Sequence, residues 1–280
     1  MSSKAGELYI VATPIGNLKD MTYRAVEVLQ QVDLILVEDT RNAIKLLQHY
    51  GIRRPMKALH DHNEELLGAD LVQKLKQGSN MALISDAGTP LVSDPGFRLV
   101  QAAQKAGIQA LTVPGACAAI AALSIAGLPT DRFIFEGFLP AKTAAREQRL
   151  LDVKHEPRTL VFYEAKHRIV AFLRSMQKIF GDRRNVVVAR ELTKKFESVY
   201  HGNLQDVLTQ IVSDEQAQKG EYVVIVEGVK IDDEEVDLDN VLHALLPELG
   251  VSKASKVAAK ITGVSKNQCY QRALELSRSA

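Results

Sequence analysis

Leu8-Tyr9-Ile10-Val11-Ala12-Thr13-Pro14-Ile15-Gly16-Asn17-Leu18 is the stretch on which the reading of this chain turns. An apolar run too short for a helix ends in a turn carrying Pro and Gly, and a helical pattern, Tyr23–Gln31, follows. That combination reads as a buried strand feeding a loop and then a helix. The unit recurs. Leu34–Val37, Met56–Leu59, Met81–Ile84 and Ala110–Val113 are further strand candidates, and Asn42–Tyr50, Glu64–Lys76 and Phe97–Ala106 have the three- and four-residue apolar spacing of helices. Gly51, Gly78 and Gly107 stop the helices. Nearly continuous apolar strands alternating with helices predict a parallel sheet covered on both faces.

After Gly115 the rhythm changes. An Ala-rich helix runs to about Ala126 and stops at Gly127-Leu128-Pro129. Strands are expected at Phe133–Phe135, Thr159–Tyr163, Val186–Arg190, Glu197–Tyr200 and Tyr222–Glu227, with a hairpin around Thr193–Lys195. Helices fit Ala144–Val153, Arg168–Phe180 and Leu204–Val212. The expected organisation is an α/β N-terminal domain over residues 1–115 and an α+β second domain with a mixed sheet over 116–230. An acidic linker, 231–240, and a basic helix-turn-helix-like tail, 241–280, complete it. In the tail, Lys253–Ile261 and a helix from the N-cap Ser265 to about Leu276 flank a Thr262-Gly263-Val264 turn.

Composition bounds the function. With 280 residues, 46% hydrophobic and 25% charged, the chain has the make-up of a folded protein rather than a disordered one. Two distant cysteines, Cys117 and Cys269, exclude a disulfide framework or a zinc ribbon, and His60 and His62, two apart, lack an obvious third ligand, so no metal is expected. The polar start, Met1 to Gly6, lacks a signal-peptide pattern, and the longest apolar run, Ala116–Leu128, is shorter than a bilayer span. A cytoplasmic protein without a membrane partner is expected.

The chemistry concentrates at strand ends. Thr13-Pro14-Ile15-Gly16-Asn17-Leu18, Glu38-Asp39-Thr40-Arg41, His60-Asp61-His62-Asn63, Ser85-Asp86-Ala87-Gly88-Thr89-Pro90 with Ser93-Asp94-Pro95-Gly96, and Pro114-Gly115-Ala116-Cys117 each follow a strand of the first half. Open α/β sheets bind ligands beyond the carboxyl ends of their strands, so these clusters fall on one edge where a site belongs. Turns alone favour Gly, Pro and Asp, but five clusters carry more polar groups than turning the chain requires. There is no G-x-G-x-x-G after the first strand, no G-x-x-x-x-G-K-[ST] and no G-x-S-x-G. Those absences argue against a dinucleotide dehydrogenase, a phosphate-loop NTPase and an α/β-hydrolase.

Taken in order, these clusters, then Gly127-Leu128-Pro129, Phe138-Leu139-Pro140, Ala189-Arg190-Glu191-Leu192-Thr193-Lys194 and Lys219-Gly220-Glu221, form a series. The series resembles the tetrapyrrole-methylase-type S-adenosylmethionine methyltransferases, and within them the 16S ribosomal RNA cytidine ribose-2′-O-methyltransferase subfamily. It spans essentially the whole chain. The resemblance implies a two-domain tetrapyrrole-methylase-like fold with the cofactor in the cleft between the domains. It also implies a homodimer and methylation of a cytidine ribose in the decoding region of the small ribosomal subunit. The cofactor contacts it implies are Pro14, Asp86, Ala87, Gly88, Val92, Cys117 and Ala118, with Glu164 and Glu221 from the second half.

Physical chemistry agrees with such a site. Small residues let backbone approach the ligand, and the start of the Ala-rich helix favours a carboxylate. Methyl transfer to a ribose hydroxyl is an in-line displacement, helped by positioning and by a base or a cation. Arg190, Glu191 and Lys194 are the expected catalytic group, with Glu191 taking or orienting the proton and Lys194 or Arg190 stabilising charge. Asn17, Arg41, His60 and Asn63 are expected to read the exposed nucleotide, and Arg158, Lys166, His167 and Arg168 to hold phosphates. Two other readings stand beside this one: the same cofactor with a small acceptor such as a tetrapyrrole, and a non-catalytic nucleic-acid-binding protein built around the tail.

The 35 basic and 34 acidic residues give a net charge of only +1. Position matters more than the sum, because phosphates feel local charge. Residues 140–200 hold 14 Lys and Arg against 7 Asp and Glu, and residues 251–280 hold 6 against Glu275 alone.

Overall fold

The computed structural model describes residues 5–60, 63–229 and 238–279. The first five strands, β1 Leu8–Val11, β2 Leu34–Val37, β3 Met56–Ala58, β4 Met81–Ile84 and β5 Ala110–Val113, pair in parallel in the order β3-β2-β4-β1-β5. Alternate residues of each strand meet different helices. Val11, Ile35, Val37 and Ile84 pack with α1 (Tyr23–Gln31) and α2 (Thr40–His49). Leu8, Leu36, Met81 and Leu83 pack with α3 (Glu64–Lys76) and α4 (Phe97–Lys105). Both faces are covered, which is why these strands read as nearly continuous apolar runs, interrupted only at Lys57 and Thr112 in the edge strands.

The second sheet is also five-stranded, in the order β6-β7-β10-β8-β9. Its strands are β6 Phe133–Phe138, β7 Thr159–Glu164, β8 Asn185–Arg190, β9 Ser198–Asn203 and β10 Tyr222–Val226. Only β6 and β7 run parallel; β7–β10, β10–β8 and β8–β9 are antiparallel, so the sheet is mixed as expected. One face packs on α6 (Thr143–Asp152), α7 (Ile169–Phe180) and α8 (Leu204–Ser213), through Phe162, Phe172, Leu173, Val188 and Ile211. The other face is covered by the Ala-rich α5 (Ala118–Ala126), whose Ala119, Ala122, Leu123 and Ala126 lie against Val161, Val187, Val223 and Ile225. Ile15, from the loop after β1, belongs to that same cluster. The first sheet's leading loop is thus part of the second sheet's core.

The described residues up to Gly228 form one compact unit, and those from Val229 onward a second. Residue 115 therefore marks a change of sheet within one compact unit. In the second unit, α9 (Leu238–Thr262) is broken at Gly250, which has φ +68°, and carries Pro247. It packs on α10 (Lys266–Ser279) through Leu242, Ala254, Ala258, Cys269 and Ala273. This corrects the reading of residues 231–240 as linker throughout: α9 begins at Leu238, and Asp239 pairs with Arg272 at 2.5 Å. The rest of that acidic stretch, 231–237, lies outside the described residues, as do Asp61 and His62 and the first four residues.

Candidate active site

The loops after β1, β4 and β5 are laced together. The Thr13 and Gly88 backbones bond to each other in both directions, at 2.8 and 3.1 Å. The Thr89 hydroxyl donates to the Ala116 carbonyl at 3.0 Å. Gly88 has φ +83°, which asks for glycine; a Cβ there would touch Ile15 at 3.4 Å, an ordinary contact. Next to this lacing opens a cavity of about 320 Å³, within the usual size of a small-ligand site.

The cavity has two kinds of wall. From the first sheet's loops and the start of α5 come Ile15, Ala87, Gly88, Val92 and Ala118, small or apolar, with Glu38, Asp86 and Asp94 at their margin. From the second sheet come Tyr163, Glu164, Glu191, Lys194 and Glu221. Lys194 Nζ stands 3.0 Å from Glu191 Oε1 and 2.7 Å from Glu221 Oε2. The Glu221 amide donates to Glu191 Oε1 at 2.9 Å. Burial alone would push the Glu191 carboxyl up, but that segment's amide, Lys194 and Arg190 hold it below its ordinary value. Lys194 is raised despite its burial because both glutamates favour its charge.

Two close approaches set this turn. A Cβ on Gly220 would lie 2.7 Å from Glu191 Cγ, and one on Gly16 would lie 2.4 Å from Lys194 Cγ. Asn17 N–H donates to the Thr193 hydroxyl at 3.0 Å, tying the first sheet's loop to the turn. Glu191 and Thr193 hold left-handed backbone, φ +50° and +66°, a conformation that costs non-glycine residues about 1–3 kcal/mol and persists where the surroundings impose it.

Glu164 is buried, 1% exposed. Its Oε1 accepts from the Ala165 amide at 2.7 Å and stands 3.0 Å from Arg168 Nε, while Oε2 has no hydrogen-bond partner. Burial pushes this carboxyl up, against the pull of the Ala165 amide and Arg168. Tyr163 OH accepts from the Ala119 amide at 3.1 Å, at the first turn of α5. Burial, with Cys117 alongside, raises this phenol above its ordinary value.

Of the residues expected from sequence, Asp86, Ala87, Gly88, Val92, Cys117, Ala118, Glu164, Glu191, Lys194 and Glu221 line this one cavity. Pro14 does not; its neighbour Ile15 does. Arg190 is also off the wall: its guanidinium donates to the Lys219 and Phe196 carbonyls at 2.6 and 2.9 Å, fastening the strands behind Glu191. Asn17, Arg41, His60 and Asn63 lie outside the lining too. Asn17 Oδ1 caps the turn at Lys19, and Asn63 Oδ1 accepts from the His60 amide. Arg41 folds back on Asp39, which it holds down near pKa 2. Both Asp86 oxygens accept from the β2–α2 loop, from the Asp39 amide at 3.2 Å and Asn42 Nδ2 at 2.8 Å. Arg168 joins Glu164 and the Leu139 carbonyl. The sequence reading missed Tyr163, Phe138 and Tyr222 on the wall; the turn Phe138-Leu139-Pro140 and the neighbouring Glu164 and Glu221 were the signals for them. Among the described residues no three potential metal ligands stand together, and no helix is long and apolar enough to cross a membrane.

A small cleft above the carboxyl ends of a parallel sheet, walled opposite by a carboxylate-rich mixed sheet, defines an α/β protein with a pocket of small-ligand size. The chain belongs to the tetrapyrrole (corrin/porphyrin) methylase family of S-adenosylmethionine-dependent methyltransferases, whose model matches residues 7–208. Residues 232–277 match the RsmI C-terminal helix-turn-helix domain. The chain is 52% identical to ribosomal RNA small subunit methyltransferase I of Pseudomonas aeruginosa, over 97% of this chain and 98% of that one. It is 47% identical to the protein of that name from Synechocystis, over 97% and 98%. Among solved structures it resembles a diphthine synthase (TM-score 0.60, 14% identity, 79% of this chain and 89% of that one). It also resembles a Thermus thermophilus uroporphyrin-III C-methyltransferase complexed with S-adenosyl homocysteine (TM-score 0.52, 19% identity, 79% and 97%). At those identities the likeness is one of fold.

Proposed function

We propose that this chain methylates the ribose 2′-hydroxyl of a cytidine in the decoding region of 16S ribosomal RNA. The observation that carries the reading is the near full-length similarity, about half of all residues, to proteins named for methylation of small-subunit ribosomal RNA. The helical second unit favours RNA over a small tetrapyrrole acceptor, because a small substrate has no use for it. Its Lys253, Lys256 and Lys260 recur at helical spacing on α9 and are exposed, as phosphate contacts would be.

The residues fit S-adenosylmethionine. The ligand carries a sulfonium and an ammonium, and the cavity offers several carboxylates against Lys194 alone. The unpartnered Glu164 Oε2 is an acceptor awaiting a donor. When bound there, the cofactor supplies an electrophilic methyl carbon on a sulfonium. Ala87, Gly88 and Ala118 allow close backbone approach, with Val92 and Cys117 beside them. Glu164 and Glu221 are the acceptors for its donor groups. Glu191 and Lys194 orient the acceptor nucleotide, and Lys194 stabilises negative charge developing on its oxygen. Arg190 holds the strand behind them.

A second copy of the chain completes the reading. Exposed Leu66 and Phe97, on the mutually packed α3 and α4, supply apolar surface for it. Sedimentation at micromolar concentration should give twice the chain mass; a chain mass throughout would remove the dimer. A cytoplasmic location follows from the RNA substrate. The main test is transfer of tritiated methyl to small subunits from cells lacking the gene, with the product mapped by mass spectrometry. A methyl on a base, or on no RNA, overturns the reading.

A further inference from the structure

Six carboxylates face the cavity, and five of them are engaged. Glu164 stands by Arg168, and Glu191 and Glu221 share Lys194. Asp86 is held by the Asp39 amide and Asn42, and Glu38 accepts from the Asp86 amide at 3.4 Å. Asp94 is different. The Ser85 hydroxyl, which donates to the Ala87 carbonyl at 3.3 Å, is the neighbour that favours its anion, and among the described residues no cation pairs with it. The groups facing it are Glu38 at the end of β2, Asp86 after β4, and Tyr163 on β7 with Cys117 beyond.

Its loop is held in an unusual form. Leu91 and Ser93 have φ +72° and +66°, outside the comfortable region for side-chain-bearing residues. Gly137, on β6, gives Ser93 its room: a Cβ there would stand 2.9 Å from Ser93 Oγ. Backbone strain of this kind clusters where a side chain must be presented in one orientation. Glu191, the base expected from sequence, is bound to Lys194 and to the Glu221 amide, which makes it a weak proton acceptor.

We propose that Asp94, rather than Glu191, accepts the proton of the attacking hydroxyl. This rests on the hydroxyl-methylation reading above. As the acceptor oxygen forms its bond to the methyl carbon, its O–H bond breaks and the proton passes to a carboxylate oxygen of Asp94. The carbon–sulfur bond breaks with its electron pair going to sulfur, leaving a neutral thioether. Asp94 then returns the proton to water. Burial lifts this carboxyl to about 6, against the Ser85 hydroxyl and with Glu38 and Asp86 adding to the rise. A base so poised is ionised at neutral pH yet basic enough to work.

The test is the pH dependence of single-turnover methylation of small subunits, with cofactor affinity measured by calorimetry on the same samples. Wild-type rates should fall about tenfold per pH unit below about 6. D94N should keep cofactor affinity within a few-fold, lose about 10²–10⁴ in rate and lose the acidic limb. S85A, which removes the hydroxyl favouring the anion, should move the limb to higher pH whether or not D94N is well behaved. A D94N enzyme that keeps its rate, a limb unmoved in S85A, or a limb abolished by E191Q overturns the proposal. Product mapping on the wild type reads the ribose assignment separately: methyl on a base would sink that assignment whatever the Asp94 variants do.

Discussion

The two five-stranded sheets meet the cavity in opposite ways. The parallel sheet contributes chain path: small residues and backbone, brought in by loops that are hydrogen-bonded to one another. The mixed sheet contributes side chains, a buried glutamate and a lysine shared between two carboxylates. Substitutions on the first wall should therefore act through shape, and those on the second through charge.

The sharpest break of that contrast is Gly88→Val. It puts a branched side chain at φ +83°, against Ile15, and opens the Thr13–Gly88 pairing. Cofactor affinity should fall at least a hundredfold by calorimetry, with about 1–3 kcal/mol of stability lost. Lys194→Ala comes next. It strands Glu191 on a partly buried wall, Glu221 being largely exposed, and should slow methylation about ten- to a hundredfold while costing about 1 kcal/mol in denaturant unfolding. A loss of stability without loss of rate would make Lys194 a structural pin only.

Asp94→Asn sits at the margin of the first wall and tests charge there. The folded protein holds this carboxyl near 6, above its ordinary value of 3.8, so the fold binds the extra proton. Stability from this group is therefore full below about pH 4 and is lost as pH rises toward 6. The variant should escape that loss, and at pH 7 should be more stable by about 1–2 kcal/mol, discounted for the group's partial exposure. Chemical denaturation at pH 4 and pH 7 should give a variant advantage only at the higher value. Tyr163→Phe is the mildest: it removes the hydroxyl that the Ala119 amide uses and should cost about 1 kcal/mol. Thermal melting would register it as a shift of a few degrees.

The parallel sheet was largely legible because its inner strands are buried on both faces and its helices carry plain stops. Phe133–Phe138 extends past its expected end because a register shift between Phe135 and Gly137 lets pairing with β7 continue. The last strand of the hairpin was expected at Glu197–Tyr200 but runs Ser198–Asn203, because pairing with β8 rather than propensity sets its ends. The first half of α9 was missed: acidic residues ahead of it and Pro247 and Gly250 within it mask the helical pattern. At the site, the clusters were visible but their internal allegiances were not. Arg41, Asn63 and Arg190 look like reaching groups in a sequence, yet each is taken up by a neighbouring backbone or carboxylate. Asp94 lay within a visible turn, while its partial burial without a cationic partner, which distinguishes it, is a tertiary property.

Ile15 and α5 carry a consequence for how this chain can be divided. Ile15 follows the first strand of the first sheet and α5 follows its last, yet both cover the second sheet's apolar face. A gene cut at the change of sheet would leave either a first fragment with Ile15 stripped of its cover or a second whose Val161, Val187, Val223 and Ile225 lack part of theirs. Split versions should complement poorly when cut there. The junction near Gly228, where the compact units part, is the better place for a tag, a nick or a graft.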